Sequence, residues 1–193
     1  MAQGEYAAAL SSVARYDEAL RAAERAAQLD PLSLDVMRWK SYIFYKSGDC
    51  GGARRIMERA LAIEPNVGRF RYYYAMCVFE TTGDAASVLP HAEAEPLGFA
   101  HATALAILYQ ALGEPQRARE QMDAMLVDYG DSASYQYGQV HAQWGENEIA
   151  LAWLENAVKI RDPGIIQAVD DRLLAPLHGE PRFEQILRAI GRH

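Results

Sequence analysis

Tyrosine and arginine recur at helical spacing in this chain, and together they could form a surface that recognises another protein. Arg38, Tyr42 and Tyr45 step along one helical face, with Lys46 beside them. Tyr73, Cys77 and Glu80 make a second stripe, flanked by Arg69 and Tyr74. Tyr135, Gln139 and Ala142 make a third, with Gln136 and Gln143 near. A blander stripe is Thr103, Ile107 and Gln110. Tyrosine is large, stiff and able to hydrogen-bond, and arginine supplies a fork of donors, so both suit protein interfaces. Arg38, Lys46 and Arg69 would favour an acidic peptide. The competing role for Tyr42, Tyr45 and Tyr73 is packing between helices, the role expected of Trp39 and Tyr72.

Chemistry of other kinds is not expected. The sequence has no Gly-rich phosphate loop, HExxH, CxxC or nucleophile elbow. His91, His101, His141, His178 and His193 never pair at i, i+3 or i+4, so no metal site is expected. Glu93 and Glu95 read as part of a solvated helix face. No catalytic residue, cofactor or metal ligand is therefore assigned. A cleft of buried, strongly perturbed titratable groups would be needed to revive an enzyme reading.

The bulk properties narrow the partners. A net charge of −7 disfavours nucleic acid, whose phosphates need a basic face. No run of about 20 apolar residues exists to cross a membrane. The start, MAQGEYAAAL, lacks the basic and apolar regions of a signal peptide. Cys50 and Cys77 are too few for a disulfide framework and read as free thiols in a reducing cytosol. The expected location is cytoplasmic, with the periplasm left open for a fragment of a larger protein.

The elements that position these stripes are helices in pairs. RYDEALRAAERAAQLDP, Arg15 to Pro31, places Ala19, Ala23 and Ala26 on one face. Asp17 and Glu18 suit the positive end of that helix, and Pro31 stops it. The pattern returns as GDCGGARRIMERALAIEP, Gly48 to Pro65, with Ala19, Ala26 and Pro31 each repeated 34 residues later. A fixed period of that size marks stacked supersecondary units. Hairpins are expected at about 1–31, 32–65, 66–96, 97–130 and 131–163. Gly48, Gly83, Gly113 and Gly145 mark the turns. Gly83 to Gly113 spans only 30 residues, so the third unit is short, with Pro90 interrupting a second helix over Ala85 to Ala94. Residues 164–193 form a coda: a short helix near Ile165, a loop through Pro176, and a helix from Pro181 to Ile190. Leu173, Leu174 and Leu177, with Phe183, Ile186, Leu187 and Ile190, would close the last hairpin as a hydrophobic end cap.

These residues resemble the tetratricopeptide repeat family. The turn glycines, the small residues Ala19, Ala53, Ala118 and Ala150, the second set Ala26, Ala60 and Ala157, and the unit-ending Pro31, Pro65 and Pro163 carry the resemblance. Phe44, Phe79 and Tyr109 hold its aromatic place. Met125 and Lys40 depart from the pattern, as does the short third unit. The resemblance implies an all-α, right-handed solenoid of about five helical hairpins with a C-terminal capping helix. It also implies a non-catalytic scaffold whose concave groove, lined by the first helix of each hairpin, takes a protein or peptide. Gly4, Ala8 and Trp39 stand where chaperone-tail-binding relatives carry a basic clamp, so that class of partner is disfavoured. The tail, Asp170 to Gly191, resembles the ending of bacterial repeat domains in signalling and transcription-regulator proteins. A regulatory or sensory segment of a larger protein is thus one alternative. Self-assembly through stacking of solenoid ends, giving a homo-oligomer, is another.

Overall fold

The computed structural model describes residues 15–96 and 98–191. The helix expected before Arg15 lies outside them. The chain divides into two compact units, Met1–Pro96 and Leu97–His193.

The first unit holds α1 (Tyr16–Leu29), α2 (Leu34–Ser47), α3 (Cys50–Ile63), α4 (Phe70–Thr82) and α5 (Ala85–Glu93). Each helix packs on the next in sequence, and α2 also packs on α4. The helix ends follow from local chemistry. The Ser33, Asp49 and Asp84 side chains accept the backbone N–H of Val36, Gly52 and Ser87 at the starts of α2, α3 and α5. Gly48 and Gly83 end α2 and α4 at φ 77° and 72°, a left-handed conformation that a side chain would strain. Ala19, Ala53 and Ala60 are fully buried, so they are contact surfaces on which Ile43, Met37 and Phe70 close. A methyl group on Gly52 would lie 2.5 Å from the Phe44 ring, which shows how closely α3 approaches α2. Helix α5 is nine residues long against fourteen for α3. The expected interruption at Pro90 does not occur: the helix runs through the proline and ends three residues later, at Glu93.

The second unit holds α6 (Phe99–Ala111), α7 (Pro115–Tyr129), a 3₁₀ turn (Gly130–Ala133), α8 (Ser134–Gln143) and α9 (Asn147–Ile160). Two further 3₁₀ helices, Pro163–Gln167 and Arg172–Leu177, and α10 (Pro181–Ala189) complete it. The segment expected as a loop through Pro176 is thus helical. Leu174, Leu177, Phe183 and Ile186 share one core with Tyr135, Ala150, Leu151 and Leu154. Gly138 lets α8 and α9 cross closely, because a Cβ there would meet Leu154 at 2.6 Å. Arg182 fastens α10 to α9 through Glu155 at 2.9 Å and Glu148 at 2.7 Å.

Candidate functional site

Helices α2 and α4 lie side by side in the first unit, and their facing tyrosines build one aromatic cluster. Tyr45 stacks on Tyr73 with ring centroids 5.7 Å apart and planes at 24°. Tyr42 meets Tyr73 edge-on at 5.6 Å and lies 6.4 Å from Tyr45. Tyr72 closes the group at 5.7 Å from Tyr73 and 6.5 Å from Tyr45. Tyr45 is buried, while Tyr42, Tyr72 and Tyr73 keep partial exposure. The offset and edge-on geometries are those aromatic quadrupoles prefer. The Tyr45 hydroxyl donates to Glu80 Oε1 at 2.5 Å, joining the last turns of α2 and α4.

Charged groups rim this cluster. The Lys46 ammonium lies 6.0 Å from the Tyr42 ring centre, with its side chain buried. Arg38 pairs with Asp35 at 3.3 Å, while its Nε is buried with no acceptor among the described residues. Arg69 takes a left-handed conformation, φ 76°, immediately before α4. Burial pushes the Tyr73 phenol above its ordinary value, opposed by the Arg69 guanidinium, which bonds to it, and by Arg38. Tyr73 is therefore a neutral phenol at ordinary pH, its oxygen accepting from Arg69.

Glu95, read as solvated from sequence, is buried. Its carboxylate accepts the backbone N–H groups of Arg69 and Tyr72, the latter at 3.2 Å, and so caps α4 from the far end of the third hairpin. Burial pushes its pKa above the ordinary carboxylate value, and the two N–H bonds and Arg71 restrain the shift. Sequence spacing missed this cap because the residue lies 26 positions from the helix it closes.

The other expected site residues lie elsewhere. Tyr74 faces the opposite side of α4, edge-on to His91 at 5.0 Å and against the core of Met37 and Phe70. Tyr135 and Gln139 are buried at 1% and 5% exposure, so neither offers a free groove surface. Tyr135 and Gln139 both donate to Asp171 Oδ2, the latter at 2.6 Å, and the Tyr135 backbone N–H donates to Asp162 at 3.0 Å. The tail had to cover α8 for this to happen, and the helical stripe alone carries no sign of it. Thr103 and Ile107 are buried too. Tyr72, set aside as packing, belongs to the aromatic cluster.

The two cysteines are joined. Cys50, the first residue of α3, and Cys77, in the middle of α4, form a disulfide with Cα atoms 5.5 Å apart. This corrects the free-thiol expectation. Twenty-seven residues separate them in sequence, and only the pairing of the second hairpin with α4 brings them together.

One titratable cluster lies away from the tyrosines. His141 Nδ1 contacts Glu146 Oε2 at 2.6 Å, and Glu146 Oε1 pairs with Arg119 at 2.6 Å. Arg119 lies over the Trp144 ring, whose N–H donates to the Ala106 carbonyl. Burial holds His141 below its ordinary value against the pull of Glu146. No group of three or more His, Cys, Asp or Glu able to hold a metal occurs among the described residues.

Paired helices, left-handed turn glycines and buried alanines recurring at one register have a counterpart among known proteins. A family model described as the tetratricopeptide repeat matches residues 7–66 and again 103–164. The chain belongs to the tetratricopeptide repeat family. That fixes the fold class as an all-α stack of helical hairpins, and such repeats generally mediate protein–protein interaction. The stretch between the two matches contains the third hairpin, whose second helix is the short α5. No curated protein matches the chain. Among the described residues no helix is long and apolar enough to cross a membrane.

Proposed function

We propose that this chain is a non-catalytic tetratricopeptide scaffold that holds a protein or peptide partner against the tyrosine face of its second and third hairpins. Tyr42 and Tyr73 are the anchors, with Tyr72 beside them, and Arg38, Lys46 and Arg69 give the face its preference for an acidic segment. The observation that carries this reading is the four-ring cluster, part of which stays exposed beside three cationic side chains. A rigid aromatic loses little conformational entropy on binding, and the half-exposed Arg38 guanidinium, held by Asp35, lies where a partner carboxylate could reach it. The tail closes the second unit in this reading. Tyr135 and Gln139, sealed beneath that tail, take no part.

A photo-crosslinking residue at Tyr72, the partly exposed neighbour of both anchors, placed in the full chain tests it. The expected result is a crosslinked partner peptide that competes with native binding and is lost at least about tenfold in Tyr42→Ala/Tyr73→Ala, with helicity unchanged. Equal capture by the double variant would overturn the assignment. The disulfide supports work in an oxidising compartment over the reducing cytosol, because such bonds persist where glutathione and thioredoxin do not reduce them.

A further inference from the structure

The disulfide sits inside the proposed binding face. Cys77 lies one helical turn beyond Tyr73 and just short of Glu80, on the same stripe of α4. Cys50 begins α3, directly after the Gly48–Asp49 turn that follows Tyr45 and Lys46. The bond therefore ties the end of the second hairpin's first turn to the middle of α4. Its two sulfurs differ in access: Cys77 is fully buried and Cys50 is partly exposed. Thr81 Oγ1 lies 3.5 Å from the Cys50 sulfur, the remaining polar contact between α3 and α4 at this point.

In a repeat array each hairpin is held mainly by its neighbours, so the interface between two hairpins can loosen without the rest unfolding. Between α2 and α4 that interface has two parts: the tyrosine cluster with the Tyr45–Glu80 hydrogen bond, and an apolar core in which Met37 of α2 shares a cluster with Phe70 of α4. The binding face is thus one part of that interface, the part nearest the disulfide. Anything that lets α4 move from the second hairpin separates Tyr45 from Tyr73 and dismantles the face.

We propose that Cys50–Cys77 is a redox gate on this face: the disulfide form holds Tyr42, Tyr45, Tyr72 and Tyr73 assembled, and the dithiol form releases them. The reductant is a dithiol, such as a thioredoxin-class protein or dithiothreitol. Its thiolate attacks the accessible Cys50 sulfur, the S–S bond breaks, and Cys77 leaves as a thiolate that takes up a proton. The second thiol of the reductant then attacks the mixed disulfide, freeing Cys50 as a thiol and leaving the reductant as a disulfide. Two electrons pass to the protein, and a disulfide of higher reduction potential takes them back and reverses the exchange.

The consequence for partner binding rests on the tyrosine-face reading, but the gate itself is measured without a partner. Hydrogen exchange is followed by mass spectrometry on the full chain, oxidised and after dithiothreitol, together with Cys50→Ser/Cys77→Ala. Reduction should speed exchange of the α4 amides at least about tenfold and leave α8 unchanged, since the second unit has no cysteine. The double variant should exchange fast in α4 whether or not dithiothreitol is present. Unchanged α4 exchange on reduction would overturn the gate and leave the tyrosine face standing. Two free thiols in protein prepared under oxidising conditions would overturn it as well. A gate that works in exchange while the crosslinked partner binds both forms equally would sink only the tyrosine-face reading.

Discussion

Tyr73 and Tyr135 occupy the same place in their repeats, ten residues before the turn glycines Gly83 and Gly145, yet they end in opposite circumstances. Tyr73 keeps partial exposure among three other tyrosines, and four residues on stands Cys77, bonded to Cys50. Tyr135 is shut away, and four residues on stands Gln139, which shares Asp171 with it. The repeat fixes where a side chain points but not what meets it. In the second unit the tail turns back over α8, and Asp171 satisfies both donors while its second oxygen accepts the Leu173 N–H at 3.0 Å. A polar stripe at groove spacing thus becomes an interior network, while at the matching place in the first unit Tyr73 keeps partial exposure.

The largest effect on this contrast should come from removing the lid. Phe183 is fully buried in the core that joins the tail to α8 and α9. Phe183→Ala should destabilise the second unit by about 4 kcal/mol, through lost burial and the cavity left behind. Urea unfolding followed by hydrogen exchange in both units checks it, and α2 and α4 should be unaffected. Loss spread equally over both units would break the contrast.

Asp171→Ala comes next, at about 3 kcal/mol, because it leaves the Tyr135 hydroxyl, the Gln139 amide and the Leu173 N–H without their acceptor. The equivalent tyrosines sharpen the point. Tyr135→Phe should cost about 1.5 kcal/mol, since it unpairs one side of a buried carboxylate. Tyr73→Phe should cost less, about 0.5–1 kcal/mol, since that ring keeps its aromatic contacts and partial exposure and gives up only its bond to Arg69. Similar losses in the two variants, read from the same unfolding curves, would show that the positions do not differ as described.

The repeat pattern exposed most of the architecture and less of the site. Turn glycines, buried alanines and the capping aspartates Asp49 and Asp84 act within one hairpin, so period and local chemistry reveal them. The Tyr42–Tyr45–Tyr73 grouping was legible because first helices of adjacent repeats pack side by side. What stayed hidden depends on contacts across long loops. Glu95 capping α4, Asp162 and Asp171 closing on Tyr135, and Cys50 reaching Cys77 each join residues 23 to 36 positions apart. None of these pairs carries a spacing signature, because the tail and the short third hairpin depart from the period.

The smallest effect tests the second unit from its other side. His141 is buried against Glu146 and Trp144, and burial holds its pKa below the ordinary 6.5. Between that lowered value and 6.5 the unfolded chain binds more protons than the folded one, so stability rises with pH across this window and is lost as pH falls below 6.5. Glu146 acts lower on the scale. Burial pulls it up, but Arg119 and His141 outweigh that and hold it below 4.5, so its contribution is lost as pH falls beneath 4.5. Unfolding followed through Trp144 and Trp153 should therefore weaken in two steps on acidification. His141→Gln should remove the upper step and shrink the lower one, which Arg119 still supports. The α4 amides answer to groups of their own, the capping Glu95, whose pKa burial raises, and His91 beside Tyr74, whose pKa burial lowers, so the two steps are read from the second unit alone. A stability curve flat from pH 7 to 5 would mean that the folded His141 accepts a proton as readily as the unfolded one, and that the network around Trp144 is open to water.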